Sequence, residues 1–191
     1  MQVLLFAFVI LLVIIPGLVY INFSDSTKKD EGGVLLENKR IFGPEVNENM
    51  INKNLPLLLS KAIELQSLKS TTKQEVDLLR KLKDDERIME LMPKSISKKT
   101  QHMNMKPLLL ILGHMFRCPA VKDPVLQESY DAIRKLLPSH IALLMGVTQE
   151  LQGMAARGQS PKRIPGKILE LINTFQQYFI QGLWYGEDPL L

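Results

Sequence analysis

The side chains best suited to metal binding or nucleophilic catalysis are few in this chain and lie far apart. The three histidines are His102, His114 and His140, and the one cysteine is Cys118. No histidine has the spacing to a second ligand that zinc sites need, and the sequence places no base beside Cys118. The nucleophile-elbow, Walker A and dinucleotide-binding patterns are also missing. We therefore predict no catalytic, cofactor-binding or metal-binding residue, and no enzyme activity.

The surroundings of His114 and Cys118 favour a structural role over a catalytic one. His114 lies in the apolar stretch MKPLLLILGHMF, where a hydrogen-bonded core histidine is commoner than a catalyst. Cys118 fits a core as a small apolar residue, and one thiol fits a reduced compartment better than a disulfide-rich secreted domain. Low aromatic content and scattered basic residues argue against a nucleic-acid surface. No nucleic acid and no small-molecule substrate is expected.

The N-terminal segment has the length and composition of a transmembrane helix. No residue from Val3 to Ile21 is charged, and Leu, Ile, Val and Phe fill nearly every position. About 20 apolar residues cross a bilayer as a helix, whereas a helix on a soluble core would normally keep a polar stripe. A cleaved signal peptide is the alternative, but the basic start and the small-residue cleavage site are lacking. We predict a transmembrane helix at 1–22 that contacts membrane lipid.

The charged residues beside this segment predict its orientation. Lys28, Lys29, Lys39 and Arg40 follow it, and no basic residue precedes it. The excess of basic residues on cytosolic flanks therefore places the C-terminal region in the cytosol. The net charge of +4 is mild. It fits a surface near anionic lipid or an acidic partner, although solubility alone explains it.

The first part of the remaining chain predicts a linker followed by short helices. We expect a juxtamembrane linker with a short helix at 23–53, the helix ending at Gly43 and Pro44. The stretch NLPLLLSKAIELQSL then predicts one helix, capped by Asn54 and with Pro56 in its first turn.

A capping box and a basic loop follow that helix. Thr72 and Glu75 form the capping box, which starts a helix through KQEVDLLRKL. RIMELM forms a further short turn. We expect KSISKKTQHMN to be an exposed loop, because basic runs are usually solvated. A role of Lys94, Lys98 and Lys99 in binding lipid or a partner is the weaker alternative.

The second part predicts the centre of a helical bundle. MKPLLLILGHMF is apolar on every side and too short to cross a membrane, which favours a central helix. Two amphipathic helices are expected around it, the second starting at Pro138, and the last helix is KILELINTFQQYFIQGLW. We predict an all-α fold of about six helices at 54–186, following the N-terminal transmembrane helix.

Three stretches resemble the helical region of the Sec-sixty-three family, the J-domain membrane subunit of the endoplasmic-reticulum protein translocon. They are MKPLLLILGHMF, DPVLQESYDAIRKLLPSHIALLMGVTQEL and KILELINTFQQYFIQGLWYGEDPLL. In that family a third transmembrane span leads into such a bundle, and the last helix runs into a similar S-P-L-L segment. The resemblance covers nearly the whole chain, through hydrophobic patterns and one terminal tetrapeptide rather than catalytic signatures.

This resemblance implies a membrane-anchored scaffold component of the translocon that supports post-translational polypeptide translocation. Its implied partners are the translocon channel and other translocation subunits, and its implied location is the endoplasmic-reticulum membrane. The His-Pro-Asp motif of the J domain does not occur here, and neither does the family's β-sandwich. The chain is then expected to be a fragment or a reduced relative, with 187–191 beginning a truncated segment. Recruitment of a lumenal Hsp70 is not expected of these residues.

Two other functions stay open from the sequence. A secreted helical-bundle ligand with a cleaved signal peptide would explain the apolar start and the amphipathic helices. An unrelated single-span adaptor would explain the same features. A membrane-tethered enzyme is disfavoured, because no nucleophile, metal ligand or base is assigned to it.

Overall fold

The structure is a computed structural model that describes residues 33–70, 72–92, 103–160 and 163–184. These residues form helices and no β-strand, which confirms the predicted all-α class. Eight α-helices lie in the described part, and seven of them fall within 54–186, where about six were expected. They are α1 (Asn38–Glu45), α2 (Leu55–Ser60), α3 (Ile63–Gln66), α4 (Lys73–Lys83), α5 (Glu86–Leu91), α6 (Lys106–Met115), α7 (Pro124–Ala156) and α8 (Lys167–Gln181), with 3-10 turns at Asn52–Asn54 and Pro119–Lys122.

Helix α6 lies at the centre of the bundle, as its apolar sequence predicts. Every residue of α6 except His114 is buried, and Leu110 is fully enclosed. Helices α2, α4, α5, α7 and α8 all pack against it. A helix that is apolar on all sides is stable in water only when neighbours cover each side, and this arrangement supplies that cover.

Helix α7 corrects the expectation of two helices separated at Pro138. It is one continuous helix of 33 residues, about 50 Å long. A proline inside a helix costs about 3 kcal/mol. The buried face continues on both sides of it through Leu137 and Ile141, and each such side chain contributes about 1.5–3 kcal/mol on burial. Packing of α1 and α8 along α7 therefore outweighs the local preference for a break.

Helix α8 presents the stripe that the sequence predicts. Ile168, Ile172, Phe175 and Phe179 are buried, and the helix ends at Gly182 in the left-handed conformation, with φ +62°. The helix packs mainly on α7 and also contacts α6.

The region assigned to the juxtamembrane linker belongs in part to the core. Val34, Phe42, Val46 and Met50 are buried in the same hydrophobic cluster as α6. Helix α1 also continues through Gly43 and Pro44 rather than stopping there. Pro44 is the penultimate residue of this helix, so its missing N–H removes only a single hydrogen bond from the last turn.

The stretch predicted as one helix at 54–68 is divided into α2 and α3. The chain is extended at Ala62, with ψ 140°, and Asn38 Oδ1 accepts a hydrogen bond from Ile63 N at 2.9 Å. A side chain distant in sequence thus caps α3. Asn54, the predicted cap of α2, makes no such bond. Thr72 is confirmed as a cap, because its Oγ1 accepts from Glu75 N at 3.2 Å.

Several predictions fall on residues outside the described ranges. They are the transmembrane helix at 1–22, the basic residues Lys94, Lys98 and Lys99, His102, and the segment 187–191. Among the described residues, no helix is both long and apolar enough to span a bilayer.

Candidate functional site

Helices α6 and α8 end side by side through the same backbone turn. At the end of α6, Cys118 N donates to Gly113 O at 2.8 Å around Arg117, whose φ is +53°. At the end of α8, Leu183 N donates to Tyr178 O at 2.9 Å around Gly182. This is the Schellman turn, which favours glycine at its left-handed position. Arginine at that position in α6 is therefore a strained choice that needs another explanation.

The Arg117 side chain supplies that explanation by capping the neighbouring helix. Its Nε donates to Gly182 O at 2.9 Å, and its Nη2 donates to Gln181 O at 3.4 Å. The last carbonyl groups of a helix lack partners within the helix and carry a partial negative charge. A cation at this point donates hydrogen bonds to the unpaired carbonyl groups of α8 and offsets their partial negative charge.

His114 joins three helices at the same end of the bundle. Its Nδ1 lies 2.7 Å from Tyr130 Oη and its Nε2 lies 2.7 Å from Phe179 O. A carbonyl oxygen can only accept, so Nε2 carries the proton and Nδ1 accepts from the Tyr130 hydroxyl. His114 is hydrogen-bonded as predicted, but it is only half-buried, unlike the rest of α6.

The environment of this pair shifts the pKa of both groups. Burial lowers the pKa of His114, and the positive charges of Arg134 and Lys122 lower it further against the opposing hydrogen bond to Phe179 O. Burial raises the pKa of the Tyr130 hydroxyl, with Arg134 opposing that shift and Asp131 adding to it. Burial thus favours the neutral form of each group.

A cleft of about 300 Å³ opens beside this pair, and we refer to it as the cationic cleft. Its charged side chains are all basic, and no Asp or Glu lines it. They come from the end of α6, the 3-10 turn and α7. The lining comprises Arg117, Lys122 and Arg134, together with His114, Tyr130 and Gly182 among others.

A second depression, here called the Trp184 groove, is lined by Phe116, the residue that precedes Arg117. Phe116 and Trp184 form its aromatic part, with ring centroids 5.5 Å apart. The Arg87 guanidinium lies over the Phe116 ring, 5.1 Å from its centroid. The groove has a volume of about 360 Å³. Its other lining residues are Asn52, Lys53, Glu90 and Leu91. The Asn52 Oδ1 is buried without a hydrogen-bond partner among the described residues.

Cys118 is bonded to acidic and basic neighbours. Its Sγ donates to Asp85 Oδ2 at 3.5 Å and lies 3.8 Å from Arg87 Nη2. The hydrogen bond from Arg87 is the main cause that lowers the pKa of Asp85. Cys118 is 6% exposed, in agreement with the interpretation of this cysteine as a core residue.

A buried polar cluster holds α1, α3 and α7 together. Glu64 Oε2 lies 3.0 Å from His140 Nε2 and accepts from Asn38 Nδ2 at 2.8 Å, while Glu64 Oε1 accepts from Leu35 N at 2.6 Å. His140 Nδ1 donates to Leu136 O at 2.9 Å, and one further proton lies between Nε2 and Glu64. Burial raises the pKa of Glu64, but the three hydrogen bonds together bring it below its ordinary value.

A second buried cluster joins α4 to the start of α6. Lys106 Nζ forms an ion pair with Glu75 Oε1 and donates to Lys69 O at 3.2 Å. Both charged side chains are almost fully enclosed, at 2% and 5% exposure. Removing one partner of such a pair leaves an uncompensated buried charge, so this contact fixes the position of α4 on the central helix.

No metal-binding group is present in the part of the chain that the structure describes. No three His, Cys, Asp or Glu side chains are grouped there in a way that could hold a metal ion. His114 and Cys118 lie at the same end of the bundle, whereas His140 lies in the separate Glu64 cluster. Sequence patterns missed Arg117, Glu64 and Lys106, because each acts through a partner 31 to 76 residues away. The only sequence feature that could have indicated one of these contacts is the charge of Lys106 within an apolar stretch.

Comparison with other proteins adds no family assignment. No protein-family model matches the chain, and no curated protein or solved structure is significantly similar to it.

Proposed function

We propose that this chain is a membrane-anchored scaffold component of the endoplasmic-reticulum translocon, which supports post-translational polypeptide translocation. One observation carries the proposal: an uncharged segment from Val3 to Ile21 is followed closely by a packed helical bundle whose buried residues begin at Val34. The intervening residues span at most about 40 Å when fully extended. A bundle on such a short connection is held near the membrane surface.

The polar chemistry of the bundle favours a binding role over catalysis. His114, Tyr130 and Arg117 are engaged with one another or with helix ends, and the Glu64 and Lys106 clusters are enclosed. The cationic cleft and the Trp184 groove are two open features of the described surface. Such features suit contact with another macromolecule, where arginine and aromatic side chains are enriched.

The translocon itself is proposed from the resemblance of three stretches to the Sec-sixty-three family. Their order along the chain matches α6, α7 and α8. On this proposal the segment 1–22 is a single span, the bundle is cytosolic, and the partners are the channel and other translocation subunits.

Co-purification from endoplasmic-reticulum membranes tests this proposal. The tagged full chain, solubilised in mild detergent, should retain the channel subunits. A variant in which 1–22 is replaced by an unrelated span of equal length should retain them as well, because docking is assigned to the bundle. A stable membrane pool of the chain without any channel subunit would contradict the proposal.

The secreted-ligand alternative makes a different prediction for the mature N-terminus. A cleaved signal peptide would remove about the first 24 residues. Mass spectrometry of the protein from cells should instead find the segment 1–22 intact. Its loss, with the remainder in the medium, would favour the secreted ligand.

A further inference from the structure

Three basic side chains converge on the cationic cleft from three different elements. Arg117 follows α6, Lys122 lies in the 3-10 turn, and Arg134 lies on α7. Lys122 and Arg134 form no ion pair with a described carboxylate. Two acidic residues are near in sequence: Asp131 accepts a hydrogen bond from Gln127 at 2.9 Å, and Asp123, which follows Lys122, accepts one from Val125 N at 3.0 Å.

The two helix ends explain only part of this charge. The carboxyl ends of α6 and α8 each carry about half a negative charge, so together they balance about one cation. Arg117 meets that need directly, since it donates to Gly182 O and Gln181 O. The contact of Arg134 with the Tyr130 ring, 5.6 Å from its centroid, leaves the guanidinium charge in place. Lys122 and Arg134 are not used by the helix ends and can meet a ligand, while the charge of Asp131 opposes that of Arg134 at Tyr130.

We propose that the cationic cleft binds an acidic peptide segment of a partner protein, with carboxylates placed against Lys122 and Arg134. This inference goes beyond the scaffold function and does not depend on the identity of the partner complex. The two cations come from separate elements, the 3-10 turn and α7, so each can pair with its own carboxylate of an extended peptide.

The Trp184 groove extends the same binding surface. Phe116 and Arg117 are consecutive, with the first lining the groove and the second lining the cleft. Leu91, Phe116 and Trp184 offer apolar contact there. A peptide that carries an apolar side chain beside its carboxylates therefore fits both depressions.

His114 provides a reporter inside the cleft. Arg134 and Lys122 both lower its pKa. Carboxylates that neutralise these cations should raise it, because the imidazolium then meets less repulsion. A peptide bound elsewhere would leave the titration of His114 unchanged.

The experiment uses the full chain in nanodiscs of phosphatidylcholine, which carry no net charge. The probe is a fluorescein-labelled peptide of glutamates with an interspersed leucine, and its match carries glutamines instead. We expect salt-dependent binding of the glutamate peptide only, because exposed charges are screened by salt. Lys122→Glu and Arg134→Glu should each weaken it at least tenfold and abolish the shift of the His114 titration.

Lys135→Glu is the matched control, since Lys135 is exposed on the same helix and does not line the cleft. It should bind the peptide within twofold of the native chain. An equal loss in this variant would overturn the proposal in favour of non-specific charge attraction. Thermal unfolding verifies that each variant is folded, and Lys122→Gln and Arg134→Gln replace any that is not.

Competition experiments distinguish binding of an acidic peptide from binding of phosphate or of anionic lipid. Inorganic phosphate at ionic strength matched with chloride should not displace the peptide, and vesicles containing phosphatidylserine should not compete for it. Displacement by phosphate would indicate a phosphate site, and competition by the vesicles would indicate a lipid-binding surface. Either result, or no binding of the peptide, would overturn the proposal.

Discussion

Arg117 caps the helix that Gly182 ends, with its Nε 2.9 Å from the Gly182 carbonyl oxygen. Each residue is also the left-handed residue of its own helix end, at φ +53° and +62°. The backbone strain at one helix end thus positions the side chain that stabilises the other. This contact joins two helix ends that are 65 residues apart in sequence.

Replacement of Arg117 separates the backbone strain from the capping bond. Arg117→Ala keeps a non-glycine residue at positive φ and loses the hydrogen bonds, so we expect a loss of about 1 kcal/mol in the free energy of unfolding. Arg117→Gly loses the same bonds but relieves the strain, which is worth about 1 kcal/mol. Urea denaturation should therefore find Arg117→Gly more stable than Arg117→Ala. The opposite order would contradict the backbone strain at position 117, and a loss of stability in neither variant would contradict the capping explanation.

The pH dependence of stability should report the Glu64 cluster. The pKa of Glu64 in the folded state is below its ordinary value of 4.5, so near that pH the unfolded chain binds more protons than the folded chain. Its contribution is present above about pH 4.5 and is lost as the pH falls through the lowered folded value. Glu64→Gln should lower stability at pH 7, and its difference from the native chain should shrink in acid.

Glu90→Gln is the control for that comparison, because Glu90 forms an exposed pair with Lys53 at 3.3 Å. Exposed pairs contribute at most about 1 kcal/mol, so this variant should stay close to the native chain at each pH. A pH-independent difference for Glu64→Gln would show that its carboxylate does not stabilise the fold.

The buried Lys106–Glu75 pair should show strong coupling in a double-mutant cycle. Glu75→Leu and Lys106→Met each leave the partner charge enclosed without its counter-charge, which should cost about 3–5 kcal/mol. The double variant Lys106→Met with Glu75→Leu removes both charges and should recover most of that loss. Chemical denaturation of the single and double variants measures the coupling. Additive losses would mean that the two charges do not depend on each other.

Gly113 and Gly146 should respond in opposite directions to the same added methyl group. A Cβ at Gly113 would lie 2.5 Å from a Val121 methyl carbon and 3.0 Å from a Leu82 methyl carbon. Both neighbours are buried. We expect Gly113→Ala to destabilise the fold by about 1–3 kcal/mol through overpacking.

Gly146 lies within α7, and a Cβ there would meet nothing within 4 Å. Gly146→Ala should therefore stabilise the fold by up to about 1 kcal/mol, as expected from helix propensity. Thermal unfolding of the two variants gives the comparison. Stabilisation by Gly113→Ala would disprove the close approach of α6 to the 3-10 turn.

Local patterns predicted the helices well but their boundaries poorly. The central position of α6 and the stripe of α8 follow from hydrophobic periodicity, which is a property of neighbouring residues. The continuity of α7 through Pro138 and the break between α2 and α3 do not. In both cases distant residues decide: α1 and α8 pack along α7, and Asn38 caps α3. These tertiary contacts join residues that are too far apart in sequence for a local pattern to include both.

The sequence by itself determined the helical class, the apolar character of the central helix and the scarcity of groups suited to catalysis. These follow from composition and period, because burial of apolar surface is the main driving force of folding. Only the tertiary structure decided which polar groups meet. The partners of Arg117, Lys106 and His140 are set by the packing of helices far apart in the chain, and so is the convergence of Lys122 and Arg134 on one cleft.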